Sequence, residues 1–379
     1  MPRVLPAPVA ATAAAGAALL VLSACGAAAD PASGGGTTIA VRSSADACTL
    51  SATTAPSGTT TFAVTNSGDD VTEFYVYAAD GGRILGEVEN VGPAITRELT
   101  VVLDPGTYTT ACKPGQTGDG IRAAFTVTGA AVTHSASAAL ASAARTYEEW
   151  VEGETDALLT GTTAFVAAVR AGDVARARAL YAATRVHWER IEPVAESFGD
   201  LDPRLDAREN DVEAGTPWTG WHRLEKALWV DRSLAGTGAL ADQLLADTRD
   251  LAERIEGIEL TADQVTNGAK ELLDEVATGK VTGEEERYSR TDLWDFQANV
   301  DGARQAFEVV ESIVAAKDPD LVAQLDSAFA ALQAELDQHR DGTGFVLYTA
   351  LTPAQVKALA TKVEALSEPL SELTAAVVP

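Results

Sequence analysis

From Thr37 to about Gly129, apolar residues recur with a period of two. The runs are Thr60, Phe62 and Val64; Phe74, Val76 and Ala78; Leu99, Val101 and Leu103; and Ile121, Ala123, Phe125 and Val127. Residues two apart share one face of a strand, so each run predicts a strand with one side turned to a core. Turn-forming residues separate them at Asn66-Ser67-Gly68, Asp80-Gly81-Gly82 and Asp104-Pro105-Gly106. Short strands at this spacing predict an all-β Greek-key sandwich over residues 37–130.

Beyond Gly129 the period changes. Alanine becomes abundant and apolar residues fall three and four apart, the repeat of an amphipathic helix. Helix-start chemistry recurs at Asp173, at Thr261 with Gln264, at Thr282 with Glu285, at Asp318 before Pro319, and at Thr352 with Gln355. Helices are predicted near 138–170, 173–198, 218–230, 239–256, 261–278, 285–315, 318–339 and 353–375. Joined by short connections, they make an all-α bundle. Residues 131–144 read as the linker, and 145–379 as the helical domain.

Length and charge narrow the classes. The chain has 379 residues, enough for two domains each with its own core. With 28 basic against 55 acidic residues its net charge is −27, which repels nucleic acid and anionic lipid and favours cations. Acidity also serves solubility alone, so metal binding has to be argued from particular carboxylates.

The N-terminus addresses the protein outward. Arg3 precedes an apolar run from Ala11 to Leu22, too short to span a bilayer but suited to the core of a signal peptide. The run ends in Leu22-Ser23-Ala24-Cys25-Gly26, a lipobox in which Cys25 is acylated and becomes the mature N-terminus. Residues 1–24 are then the signal peptide and 25–36 a flexible tether. Cleavage removes Arg3, leaving 27 basic against 55 acidic residues and a net charge near −28. Cys48 and Cys112 remain, in an oxidising compartment that favours a disulfide, with metal ligation as the alternative.

Candidate metal chemistry centres on Trp218-Thr219-Gly220-Trp221-His222-Arg223-Leu224-Glu225-Lys226-Ala227-Leu228-Trp229. A spacing of three puts His222 and Glu225 on one helix face, where a single ion could bridge them. Upstream, Glu189, Glu192 and Glu196 lie on neighbouring faces of one helix, and Asp206 follows in a loop. Acids from one helix facing a His and a Glu on another is how bundles assemble iron sites. The plainer alternative is that these carboxylates pair with Arg185, Arg190 and Arg208.

Three long runs carry a family resemblance: Glu192 to Pro203, Trp218 to Trp229, and Glu284 to Gly302, with Thr343 to Leu351 similar too. They resemble the imelysin-type periplasmic component of the Efe iron-uptake system, over most of 145–379. The resemblance implies an iron-binding protein, taking Fe3+ or Fe2+, that passes its ion to a membrane iron permease with help from a haem peroxidase. It implies metal ligands at His222, Glu225, Glu189, Glu192 and Asp206, and at Glu286. Carboxylates with one imidazole suit ferric iron, and also accept zinc, copper or calcium.

A weaker likeness to a cupredoxin-like domain covers 37–130, carried by Pro105-Gly106-Thr107-Tyr108 ahead of Cys112. That stretch has no His and no Met, so it lacks the ligands of a blue-copper site. The resemblance implies Cys48, Cys112 and Glu73 as candidate ligands of a second metal.

Two other classes stand beside this reading. A metallopeptidase would use the H-x-x-E, but the inverted zinc motif needs H-x-x-E-H and Lys226 stands at the second His. Its further ligand would have to come from His134, His187 or His339. A lipoprotein for acidic polysaccharide would need bridging cations to overcome its own charge. The lipobox gives a prediction of its own: Cys25→Ser should move the protein from the membrane fraction to the soluble fraction on cell fractionation.

Overall fold

Residues 36–131, 138–212 and 215–378 are described by the structure, a computed structural model. Cys25 with its lipobox and His134 lie outside them. Nine strands come first: β1 (Thr37–Ser43), β2 (Cys48–Leu50), β3 (Thr54–Pro56), β4 (Gly58–Asn66), β5 (Thr72–Tyr77), β6 (Ile84–Val91), β7 (Thr96–Leu103), β8 (Gly106–Pro114) and β9 (Ile121–Thr128). They form two sheets, ordered β2-β1-β4-β7 and β3-β9-β8-β5-β6. The β1–β4 and β3–β9 pairs are parallel and the others antiparallel.

The alternation read along β4 is the burial observed: Thr60, Phe62 and Val64 turn inward while Thr61 and Ala63 stay half exposed. Phe62 of one sheet meets Phe74 and Phe125 of the other at ring separations of 5.2 Å, forming the centre of the sandwich. Cys48 on β2 and Cys112 on β8 are disulfide-bonded, with Cα atoms 5.6 Å apart, so one covalent staple joins the two sheets.

The proposed second metal site of Cys48, Cys112 and Glu73 does not form here. Both sulfurs are consumed in the disulfide. Cys112 pairs across the ladder with Phe74, whereas Glu73 pairs with Lys113, so strand alternation puts Glu73 on the opposite face. There its carboxylate accepts from Tyr75 Oη at 2.7 Å and Gln116 Nε2 at 2.9 Å.

Helices follow: α1 (Ala138–Arg170), α2 (Val174–Glu196), α3 (Asp202–Leu205), α4 (Gly220–Lys226), α5 (Gly238–Ile255), α6 (Ala262–Thr278), α7 (Asp292–Ala315), α8 (Pro319–Leu336), α9 (Pro353–Leu370) and α10 (Leu373–Val377). The helix predicted near 138–170 is α1, so the linker expected over 131–144 overlaps its first residues, as their alanine content allows. The helix predicted near 218–230 loosens into a π-turn at Ala227–Asp231, and the one near 353–375 breaks after Leu370. A short hairpin of β10 (Arg340–Asp341) and β11 (Gly344–Phe345) was not anticipated.

The helix predicted from 285 starts only at Asp292, and the reason is a contact across the fold. Glu225 Oε1 takes the backbone N–H groups of Tyr288 and Ser289 at 2.8 and 2.6 Å, and Arg290 sits at φ +63°. Donors committed to that carboxylate are unavailable for a helical ladder. Sandwich and bundle meet along α6: Asp263 accepts from Val102 N at 2.8 Å, Asn267 donates to Thr100 O at 2.9 Å, and Arg97 pairs with Asp274 at 2.8 Å.

The staple predicts where stability resides. Replacing Cys48 and Cys112 together by Ala should cost about 2–4 kcal/mol, seen as a lowered melting temperature in thermal denaturation.

Candidate metal centre

Four pieces of chain converge inside the bundle. Arg185, Glu189 and Glu192 recur at i, i+4 and i+7 on α2, so one face carries all three inward, and all are buried. Asp206 caps α3. Gly220 opens α4 at φ +80°, and a Cβ there would collide with the Leu205 carbonyl. That close approach sets Asp206 beside His222. Trp221, packed on Phe165 and Tyr181, holds α4 from behind. The irregular segment 279–291 brings Lys280, Glu285 and Glu286, and α7 adds Asp292, Asp295 and Asn299 from below. Gly302 lets α7 close on α2, since a Cβ there would strike the Arg190 carbonyl.

His222 is 1 % exposed and Glu225 0 %, so their polar atoms have to find partners within the protein. His222 Nδ1 lies 3.2 Å from Glu225 Oε2, while Nε2 lies 3.2 Å from Glu285 Oε1 and 3.5 Å from Asp206 Oδ1. Potential ligand atoms of Asp206, His222 and Glu285 fall within 4.8 Å of one another, and so do those of His222, Glu225 and Glu286. A second half holds Glu189 and Glu192, grouped with Asp206.

Between the halves stands Arg185. Its Nη atoms donate to Asp206, Glu189 and Glu285, and its Nε lies 2.6 Å from Glu286 Oε1. Lys280 Nζ reaches Glu189 at 2.9 Å, Glu192 at 2.5 Å and Glu275 at 3.1 Å, and Asn299 Nδ2 also donates to Glu192 at 3.1 Å. The structure therefore brings His222, Glu225, Asp206 and Glu286 together. It gives Glu189 and Glu192 to two resident cations, so they do not directly face His222. Glu196 falls in a different, half-buried group with Glu192 and Glu275.

Of the arginines expected to neutralise acids, Arg185 does so at the centre and Arg208 donates to Glu285 at 2.9 Å. Arg190 pairs outside it with Glu154 and Asp301. The other described histidines are engaged elsewhere: His187 with Glu154 at 2.6 Å, and His339 beside Glu335 at 3.7 Å. The pairing of Thr282 with Glu285 marks Glu285 as a helix-start residue, although its place in the Glu284-Glu285-Glu286 run is a usable signal. Nothing in the sequence singles out Lys280 or Asp295.

The protonation states follow from this packing. Burial and the Arg185 charge work against an imidazolium at His222, but Asp206 and hydrogen bonds with Glu225 and Glu285 outweigh them and hold it well above its ordinary value. Burial also opposes charge at Glu285, yet Arg208, His222 and Lys280 push it well below the usual carboxylate range. Glu286 is pushed well up by burial and by Glu225, and Glu192 by burial, Glu189 and Glu275. Asp295 is raised by burial and by Glu286 and Glu189, and Asp292 is pushed to about 6 by burial. One imidazole among hard oxygens, short of neutralising cations, is a donor set for a highly charged, oxygen-seeking ion.

Residues 143–373 match the family model described as imelysin, and 12–127 match the cupredoxin-like domain. The chain is 41 % identical over 297 residues to the iron uptake system component EfeO of Escherichia coli O157:H7, an alignment covering 77 % of this chain and 79 % of that one. Against EfeO of E. coli K12 the identity is 40 % over the same extent. Among solved structures, an iron-regulated protein A precursor from Parabacteroides distasonis superposes with TM-score 0.52 at 17 % identity. It covers 63 % of this chain and 95 % of its own, a likeness of fold alone.

Two outcomes follow from the geometry. Glu225→Ala should weaken Fe(III) binding by well over tenfold, about 1.4 kcal/mol or more, and Glu285→Gln by a comparable factor, measured by titration calorimetry with the fold checked by circular dichroism. Protons on His222 and Glu286 would compete with the ion and are held more tightly than usual. Affinity should therefore rise as pH climbs past about 6.5, the ordinary histidine value, and heats measured in buffers of different ionisation enthalpy should show proton release.

Proposed function

We propose, from the premise that this chain belongs to the imelysin family and to its EfeO iron-uptake components, that it is the extracytoplasmic, iron-binding member of such an uptake system. Cys25 carries its lipid anchor on the outer side of the cell membrane, and among the described residues no helix is long and apolar enough to cross a membrane. The bundle takes up ferric or ferrous iron and passes it to a membrane permease, with a haem peroxidase as a further partner.

One observation carries the reading: His222 is enclosed by Glu225, Asp206, Glu285 and Glu286, all buried, with the nearby carboxylates outnumbering the cations Arg185, Lys280 and Arg208. Acidic groups buried this close need countercharge or protons, such as the protons held tightly on His222 and Glu286. A cargo ion suits that need and leaves the chain without a reaction to perform. The peptidase alternative lacks its second His, because Lys226 extends instead to Glu209.

The direct test is metal analysis of the full-length protein after loading with iron, copper and zinc in turn. Iron should be retained by the wild type and lost in Glu225→Ala. Retention of copper or zinc in preference to iron, or equal iron in both proteins, overturns the assignment.

A further inference from the structure

Asp295, near the start of α7, is 1 % exposed, and neither of its oxygens has a hydrogen-bond partner among the described residues. Opposite it, 3.9 Å from Oδ1, stands Arg185 Nε, a buried donor that also makes no hydrogen bond, because Glu286 Oε1, though near, is poorly aligned with it. A buried donor and a buried acceptor are thus unsatisfied side by side. Leaving both so is expensive, and such pairs ordinarily close.

What holds them apart is the set of carboxylates that Arg185 already serves. Its Nη atoms are committed to Asp206, Glu189 and Glu285. Asp206, Glu285 and Glu286 are the same groups that surround His222. A multiply charged ion at His222 attracts those oxygens more strongly than a single guanidinium charge does. Released from them, Arg185 needs a carboxylate outside the ion's ligand groups. Asp295 qualifies, since it belongs to none of the ligand clusters among the described residues. Closing the gap from 3.9 Å to an ordinary hydrogen bond of about 2.9 Å needs a movement of only about 1 Å.

We propose that Arg185 is a resident cation which the incoming ion displaces from Glu285 and Glu286, and that Asp295 is the positioning residue that receives its Nε in the loaded protein. The inference rests on the reading of the bundle as the iron site. Arg185 keeps the carboxylates assembled when no ion is present, and the exchange onto Asp295 lowers the cost of displacing it.

Full-length wild type, Asp295→Asn, Arg185→Lys, the double variant and Glu225→Ala are titrated with Fe(III), and each metal-free form is melted. Asp295→Asn should melt at or above the wild-type temperature, because an unpartnered buried carboxylate is gone, and should bind Fe(III) about tenfold more weakly. Arg185→Lys keeps the charge but has no Nε to offer Asp295, so it should weaken binding similarly and carries the test if Asp295→Asn does not fold. The double variant should be no weaker than either single one. Wild-type affinity in both single variants overturns the exchange, and so do losses that add in the double, which make Asp295 an independent ligand. Equal binding by wild type and Glu225→Ala overturns the iron site itself, an outcome distinct from both.

Discussion

A guanidinium buried among carboxylates governs this bundle. Arg185 is wholly enclosed and ties Asp206, Glu189, Glu285 and Glu286, groups that come from α2, the end of α3 and the segment before α7. Like charges brought this close in a medium of low polarity repel strongly, and that packing is stable only with a countercharge at its centre. Lys280 repeats the device one turn along, between Glu189, Glu192 and Glu275. The helices meet at these cations as much as at their apolar faces.

Around that centre the backbone is arranged to serve polar atoms. The segment 283–291 forgoes helix so that Glu225 can take two of its amide groups, and in exchange it delivers Glu285 and Glu286 to His222. Gly220 and Gly302 stand where neighbouring carbonyls leave no space for a side chain, which lets α4 approach α3 and α7 approach α2. The apolar residues near the site, Trp221 foremost, exclude water and raise the cost of any unpaired charge. An ion entering here would therefore meet protons and resident cations, not solvent alone.

The β-sandwich contributes support of a different kind. Its aromatic centre and the Cys48–Cys112 staple hold its two sheets together, and polar contacts to α6 attach it to the bundle. Both sulfurs are bonded to each other, and Glu73 lies on the far face.

Periodicity by itself determined the two classes of architecture, because alternation and 3.6-residue repeats are local properties that each segment expresses before it meets another. The H-x-x-E pair was legible for the same reason, a spacing of three on one helix being a local fact. Only the tertiary structure decided which acids face His222. Glu285 looked like a helix cap and became its neighbour, whereas Glu189 and Glu192 lie on the side held by Arg185 and Lys280, grouped with Asp206. Those outcomes depend on charges that lie up to a hundred residues apart in sequence, as Arg185 and Glu285 do. No local pattern encodes such distances, and the winner among several buried carboxylates is set by which cation can reach them.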